Sequence, residues 1–353
     1  MREVSNGYFV ISLDFELHWG IFDKRCVAEY KENLENVKLV IPKLLELAEK
    51  HDIKLTFATV GLLFAKNKAE LLNNNPKLLP SYSKPRFSPY NQLDTIGNSE
   101  LDDEFHYASS LIDSIIETNK HEIGTHTYSH YYCLEDGQTI DQFEADLIAA
   151  IACAAKKGIS IKSIVFPRNQ VNKAYLEVCS KHGITSFRGI EKHRIYNTED
   201  RNLNKKQSIR ALRLIDSYVN ITGYNTYPIN NLNTIKGITN IPSSSFLRPY
   251  SKSLSALEPL KIARVKKAMT HAAKHNELFH LWWHPHNFGK HMDENFKGLE
   301  AILKHYKHLN NKFRFKNVTM EELVSLVYIL FEIYLCFQPP NNLPNPSLFW
   351  CKS

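Results

Sequence analysis

The stretch YFVISLDFELHWG, residues 8–20, indicates a buried strand that ends in polar side chains. Its first four residues are apolar and partly β-branched, which is typical of a strand buried on both faces of a parallel sheet. Asp14, Glu16 and His18 then alternate along the chain, so on an extended segment they point to the same side. In barrels of alternating strands and helices, catalytic groups lie at this carboxyl end. The alternative is that Asp14 caps a turn while Glu16 and His18 are solvated.

Strands and helices alternate along most of the chain, which predicts βαβ units and a parallel sheet. Two irregular insertions, about 66–100 and 190–256, interrupt the pattern, and the second contains a weak strand candidate at 211–215. Because long loops in compact domains are often functional, we expect the first insertion to form a wall of a substrate cleft. The pattern predicts one catalytic domain over residues 1–337 and an irregular tail over 338–353.

The composition is that of an ordinary globular protein, with 353 residues, 43% apolar residues and a formal net charge of +7. The basic residues are spread among acidic ones, so no nucleic-acid partner is expected, whereas a phosphorylated or acidic sugar is compatible. Six cysteines without CxxC spacing indicate reduced thiols. The amino terminus does not read as a signal peptide, and the apolar segment 323–337 is too short to span a bilayer. We therefore expect a cytoplasmic protein without a transmembrane segment, whose last apolar segment is a core helix rather than an interfacial anchor.

Three other predicted strands also end in polar side chains. They precede, in turn, His126 and His130, Arg168, and His284 and His286. Sites of α/β sheets are assembled from such strand ends. If the chain turns into a helix after residue 125, His126 and His130 lie on one face, within reach of a single metal ion.

Four motifs resemble, in this order, those of the polysaccharide deacetylase family, the carbohydrate esterases that include chitin and peptidoglycan deacetylases. They are SLDFE at 12–16, HTYSH at 126–130, FPRN at 166–169 and LWWHP at 281–285. The resemblance covers roughly residues 7–330. It implies an α/β fold, a distorted (β/α) barrel of seven parallel strands with long loop insertions. It also implies metal-dependent hydrolysis of an acetamide on a sugar.

The resemblance assigns catalytic roles residue by residue. It makes Asp14 the general base, Arg168 the group that orients Asp14, and His284 the general acid. The third motif departs from the family pattern, because Pro167 precedes Arg168 and the usual glycine is missing. This departure bears on the role of Arg168.

The resemblance also assigns a metal site, with His126 and His130 as ligands. Many members have a second aspartate at the position of Phe15, so Glu16 is expected as the third ligand and His18 as its alternative. Two imidazoles and one carboxylate leave coordination positions open for water and a substrate oxygen. We expect one divalent transition metal, with zinc ahead of cobalt, nickel, manganese and iron.

The expected activity is removal of an N-acetyl group from an acetamido-sugar or glycan precursor used in surface glycan biosynthesis. Trp283, His286 and His18 are the expected substrate-binding residues; Trp282 and Trp283 alternate, so at most one of them faces the site. One alternative is hydrolysis of another C–N bond, in a formamide or a cyclic ureide. The other is a catalytically inactive barrel that binds glycans.

Overall fold

Within the described chain, eleven strands belong to one sheet. The structure is a computed structural model that describes residues 6–197 and 206–336, so the predicted tail at 338–353 lies outside the described residues. The strands are β1 (Tyr8–Phe15), β2 (Thr56–Thr59), β3 (Glu122–Thr125), β4 (Ser163–Ile164), β5 (Ser186–Gly189), β6 (Tyr227–Pro228), β7 (Thr234–Ile235), β8 (Ile238–Pro242), β9 (Ser245–Phe246), β10 (Glu277–Trp283) and β11 (Lys316–Asn317).

Seven neighbouring strands of this sheet are parallel, in the order β10, β1, β2, β3, β4, β5 and β8. Only two residues separate β8 from β9, yet β8 pairs with β5 and β9 pairs with β10. The sheet therefore curls until its two sides approach each other. Short strands β6 and β7 add antiparallel partners, and β11 pairs with the start of β1. The predicted distorted (β/α) barrel is confirmed.

Helices connect the parallel strands. In the described residues they are α1 (Val27–Glu35), α2 (Val37–His51), α3 (Lys68–Asn73), α4 (Ser109–Glu117), α5 (Ile140–Ala155), α6 (Tyr175–Lys181), α7 (Gln207–Asp216), α8 (Glu258–His275), α9 (Met292–Phe313) and α10 (Met320–Cys336). The segment 211–215, expected as a strand, belongs to α7. This segment, ALRLI, is apolar except for Arg213 and is too short to separate the two periods.

β1 is buried along its whole length and divides the apolar core in two. Phe9, Ile11 and Leu13 belong to the large cluster in which the sheet packs against the helices. Val10 faces the other way and packs in a second cluster with Met320, at the start of α10. Further along this inner face lie the polar Ser12 and Asp14, so the barrel interior changes from apolar to polar towards the carboxyl ends of its strands.

The apolar segment near the end of the chain is helical, as expected. Met320, Leu323 and Val324 of α10 are buried under the barrel. Among the helices that the structure describes, none is both long enough and apolar enough to cross a membrane.

Candidate active site

Asp14 and Arg188 form an ion pair inside the barrel. Nη1 and Nη2 of Arg188, on β5, donate to Oδ1 and Oδ2 of Asp14 at 2.6 and 2.8 Å, and Nη1 also donates to Ser12 Oγ at 3.0 Å. Burial by itself would raise the pKa of Asp14, but the charge and hydrogen bonds of Arg188, together with the charges of His126 and His284, outweigh it and hold that pKa below its usual value. The pair therefore keeps Asp14 ionised and fixes the plane of its carboxylate.

The expectation that Arg168 orients Asp14 is wrong. The Arg168 guanidinium binds the Asp23 carboxylate, approaches Glu135 Oε1 at 3.4 Å, and lies 3.8 Å from the centre of the Tyr132 ring. Arg168 has a left-handed backbone, with φ of +57°, in the short 3-10 turn Pro167–Asn169 that follows β4. Its side chain joins this outer group of residues, and the position beside Asp14 belongs to Arg188, which lies on a strand.

Glu16, His126 and His130 meet in a buried cluster. Glu16 Oε2 lies 3.2 Å from His126 Nε2 and 3.1 Å from His130 Nε2. One ligand atom from each of the three residues lies within 4.8 Å of the others. A carboxylate and two imidazoles at this spacing match the donor set of a divalent transition metal site with open coordination positions.

The segment that carries the two histidines is a loop and not the expected helix. Thr127 and His130 both have a left-handed backbone, with φ of +64° and +56°. Asp146 of α5 organises this loop by accepting the backbone N–H groups of Tyr128 and Ser129, at 2.7 and 3.1 Å. The two imidazoles converge because the loop folds back on itself. Their four-residue spacing therefore does not correspond to one turn of a helix.

Each imidazole is oriented through its second nitrogen. His126 Nδ1 lies 2.7 Å from the Val165 carbonyl oxygen, and His130 Nδ1 lies 3.2 Å from the Tyr132 hydroxyl. The Val165 carbonyl can only accept, so it fixes the proton of neutral His126 on Nδ1 and leaves Nε2 free to ligate. Burial lowers the pKa of His130 to about 4, which keeps that ring neutral at physiological pH. These contacts fit a metal site.

Glu16 owes its position to the sharp end of β1. Leu17 has a left-handed backbone, with φ of +47°, and begins the 3-10 turn Leu17–Gly20. This turn brings Gly20 against the Glu16 side chain, where a Cβ atom at Gly20 would lie 1.9 Å from Glu16 Cδ. Burial would raise the pKa of Glu16, but the surrounding histidines outweigh it and hold that pKa well below its usual value.

His284 lies between the two carboxylates, with Nε2 at 3.6 Å from Asp14 Oδ2 and 3.5 Å from Glu16 Oε1. Its Nδ1 lies 3.3 Å from Asn287 Nδ2, and Asn287 Oδ1 accepts the Tyr30 hydroxyl at 2.9 Å. The Asn287 amide therefore donates to Nδ1, so the proton of a neutral His284 lies on Nε2, facing the carboxylates. Sequence reasoning missed Asn287 and Tyr30, although Asn287 follows the last motif.

His286, which was expected to bind the substrate, lies beside this group, with its Nε2 4.0 Å from Glu16 Oε1. Its ring packs on that of His284, with 5.1 Å between centres. Burial, reinforced by His284, lowers the pKa of His286 to about 3. The residue is therefore a neutral, buried neighbour of the cluster.

The expectation that Trp283 faces the site is also wrong. Trp283 is fully buried and stacks on Phe288, with 5.5 Å between ring centres. Trp282 takes the inner position instead, where the Arg188 guanidinium lies 4.1 Å from its ring centre and Phe246 packs at 4.6 Å. Side chains two apart share a face of a strand, so Trp282 points to the side of His280 in β10.

His18 is held away from the cluster, which rules out its expected roles as an alternative ligand and as a substrate-binding residue. Its Nδ1 lies 2.9 Å from His106 Nε2, and its Nε2 lies 3.0 Å from the Arg25 carbonyl oxygen. His106 in turn is paired with Asp103 at 2.8 Å. Both nitrogens of His18 are engaged because the left-handed turn after Glu16 breaks the alternation of the strand.

Comparison with known proteins finds one family that matches part of the chain. Residues 35–187 match the model of one family, described as polysaccharide deacetylase. No curated protein matches the chain in sequence.

Several crystal structures share the fold. A candidate polysaccharide deacetylase from Mycobacterium smegmatis is 13% identical, with a TM-score of 0.58 over 98% of this chain and 96% of that chain. A candidate polysaccharide deacetylase from Pseudomonas aeruginosa is 12% identical, with a TM-score of 0.52 over 90% and 89%. A 4-alpha-glucanotransferase from Thermococcus litoralis is 11% identical, with a TM-score of 0.50 over 91% of this chain and 40% of that chain. At such identities the likeness concerns the fold alone.

Proposed function

We propose that this chain, of which residues 35–187 match the polysaccharide deacetylase family model, is a metal-dependent hydrolase that removes an N-acetyl group from a sugar. The observation that carries the proposal is the convergence of Glu16, His126 and His130 beside Asp14 and His284. The three buried ligand candidates would hold the metal ion, and the other two residues would move protons.

A divalent ion at this site supplies Lewis acidity towards an amide carbonyl oxygen and a water molecule. The remaining chemistry falls to side chains of the chain itself. Asp14 acts as the general base, since its ionised carboxylate can take a proton from the attacking water. Arg188, which also donates to Ser12 Oγ, keeps that carboxylate in one orientation, so the base is positioned before the substrate arrives.

His284 acts as the general acid. Amines leave poorly unless they are protonated. His284 would therefore act as the imidazolium, which carries a proton on Nε2, the atom nearest the two carboxylates, and would return to the neutral ring after giving that proton to the leaving nitrogen. The His284 side chain is 22% exposed, whereas those of Asp14 and Glu16 are 5% and 4% exposed. The sugar that carries the leaving amine approaches from the solvent. His284, the most exposed of these three groups, is therefore the one suited to reach that amine.

The rings beside His284 form the proposed sugar platform. Phe246 lies 5.9 Å and Trp282 lies 5.7 Å from the His284 ring, measured between centres. Aromatic faces of this kind bind the apolar face of a sugar ring while leaving its polar groups free. Trp282 thus replaces Trp283 in the substrate-binding role.

A product assay tests the proposal. Purified protein is loaded with zinc, cobalt or nickel and incubated with acetylated and formylated sugars, sugar nucleotides of surface-glycan precursors, and a cyclic ureide. We expect acetate release, and a loss of about 100-fold or more in Asp14→Asn, because general-base catalysis contributes at least that much.

The matched control is Asp94→Asn, which removes an exposed carboxylate. Release of formate or of a ring-opened acid would identify the substrate as a formamide or a cyclic ureide instead of an acetamide. Activity of Asp14→Asn equal to wild type would overturn the mechanism, and binding of glycans without release of any acid would overturn the hydrolase.

A further inference from the structure

Acidic and basic groups are segregated around the site. The acidic groups, Asp14 and Glu16, are buried on its floor. Four basic side chains are more exposed than these carboxylates: Lys24, Arg210, Arg213 and Arg248.

Arg248 is the best placed of these cations. Its guanidinium carbon lies 5.8 Å from the centre of the Phe246 ring, and Phe246 is the ring that packs beside His284. Within residues 6–197 and 206–336, no hydrogen bond or ion pair is recorded for this guanidinium, and burial lowers the pKa of Arg248. A half-buried cation without a counter-ion is costly, and an arriving anion would remove that cost.

Arg168 differs from Arg248. Its guanidinium already binds the carboxylates of Asp23 and Glu135. Its charge is therefore neutralised locally, and it adds little to the attraction of a further anion. Arg168 thus joins two loops through ion pairs, whereas Arg248 has no such acidic partner within the described residues.

We propose that the amidated sugar bears an oxyanion group, a phosphate or a carboxylate, which Arg248 binds beside the Phe246 ring. This inference rests on the proposed function, because that function supplies the amidated sugar. Binding of the anionic group itself does not require hydrolysis. Arginine suits both groups, because its planar fork matches two oxygens of either one.

The test measures binding by calorimetry at low and high salt. The probes are N-acetylglucosamine, its 1-phosphate, the corresponding 2-acetamido uronic acid, and inorganic phosphate. The proteins are wild type, Arg248→Gln, and the control Arg314→Gln, whose arginine is exposed and follows α9 near the opposite end of the barrel. A charge-assisted hydrogen bond accounts for about tenfold or more in affinity.

We expect one charged sugar to bind about tenfold more tightly than the neutral sugar, and that ratio to fall about tenfold in Arg248→Gln and at high salt. It should stay at the wild-type value in Arg314→Gln. A preference for the 1-phosphate identifies a phosphorylated sugar, and one for the uronic acid identifies an acidic sugar. Equal binding of charged and neutral sugars, a ratio that Arg248→Gln leaves unchanged, or no salt-sensitive binding of any charged probe would overturn the inference. A charge preference without release of any acid would refute the hydrolase while leaving the anion site intact.

Discussion

Replacement of Gly20 by alanine should remove the metal from a folded protein. A Cβ atom at this position would lie 1.9 Å from Cδ and 2.0 Å from Oε1 of Glu16. Atoms that are not bonded need about 3.5 Å, so the carboxyl group must move by about 1.5 Å. Metal sites tolerate ligand displacements of only about 0.2 Å, and Glu16 would therefore leave the position it shares with His126 and His130.

The cost should fall on metal binding rather than on folding. The backbone of Gly20 does not have a positive φ, and the clashing atoms are at the free end of a side chain. We expect the free energy of unfolding to change by about 1 kcal/mol or less. Metal affinity should fall about 100-fold or more, since Glu16 is one of three ligands.

The assay combines competition with a fluorescent zinc chelator and thermal unfolding of the metal-free protein. Gly298→Ala is the control, because Gly298 lies in α9 and its added Cβ would meet only the end of the Ile262 side chain, at 3.1 Å. If Gly20→Ala bound zinc as tightly as wild type and Gly298→Ala, Glu16 would not be a ligand.

Three further outcomes are expected. Arg188→Met leaves the buried Asp14 carboxylate uncompensated, so denaturant titration should give a free energy of unfolding lower by about 3–5 kcal/mol; a smaller loss than 1 kcal/mol would refute the pair. Asn287→Ala frees His284 Nδ1 and should lower kcat by about tenfold or more with unchanged metal content, whereas unchanged kcat would refute the orienting role. Burial lowers the pKa of His280 to about 3, so on acidification this residue takes up a proton in the unfolded state before it does so in the folded state, and the free energy of unfolding should fall as pH decreases below about 6.5. His280→Asn should make that decline shallower by up to about 1.4 kcal/mol per pH unit. An unaltered slope would contradict this role of His280.

The central residues of the site could be predicted because they follow strands. Parallel strands end at one edge of the sheet, so Asp14, Glu16, His126 and His284 had to come close together once the alternation of strands and helices was recognised. The chain order of the strands did not need to be known for this inference. It follows from the direction of the strands alone.

The orienting arginine could not be chosen from the sequence, because one arginine follows β4 and another lies in the neighbouring strand β5. Arg168 follows Pro167 directly, in a turn where its backbone is left-handed. The sequence does not predict this conformation. Arg188 lies inside β5, and its side chain points into the barrel. The difference lies in the phase of each strand relative to the interior, which tertiary packing decides.

The phase of β10 relative to the barrel interior also explains why Trp282, and not Trp283, faces the site. Alternation requires one of the two rings to face inwards, and Trp282 lies two residues before His284 and two after His280. Applied strictly, the spacing to His284 favours Trp282. The loop at 126–130 is a different case, since its convergence depends on Asp146 of α5, which lies 17 residues from Ser129.

Metal content, measured by elemental analysis on protein purified without an affinity tag, tests the account most directly. Wild type should contain about one equivalent of a divalent transition metal, because Glu16, His126 and His130 offer one set of three ligands. His126→Ala/His130→Ala should contain little, with His271→Ala/His275→Ala, which removes two histidines outside the site, retaining the metal. Absence of metal from wild type, even after incubation with zinc, cobalt or nickel, would contradict the account.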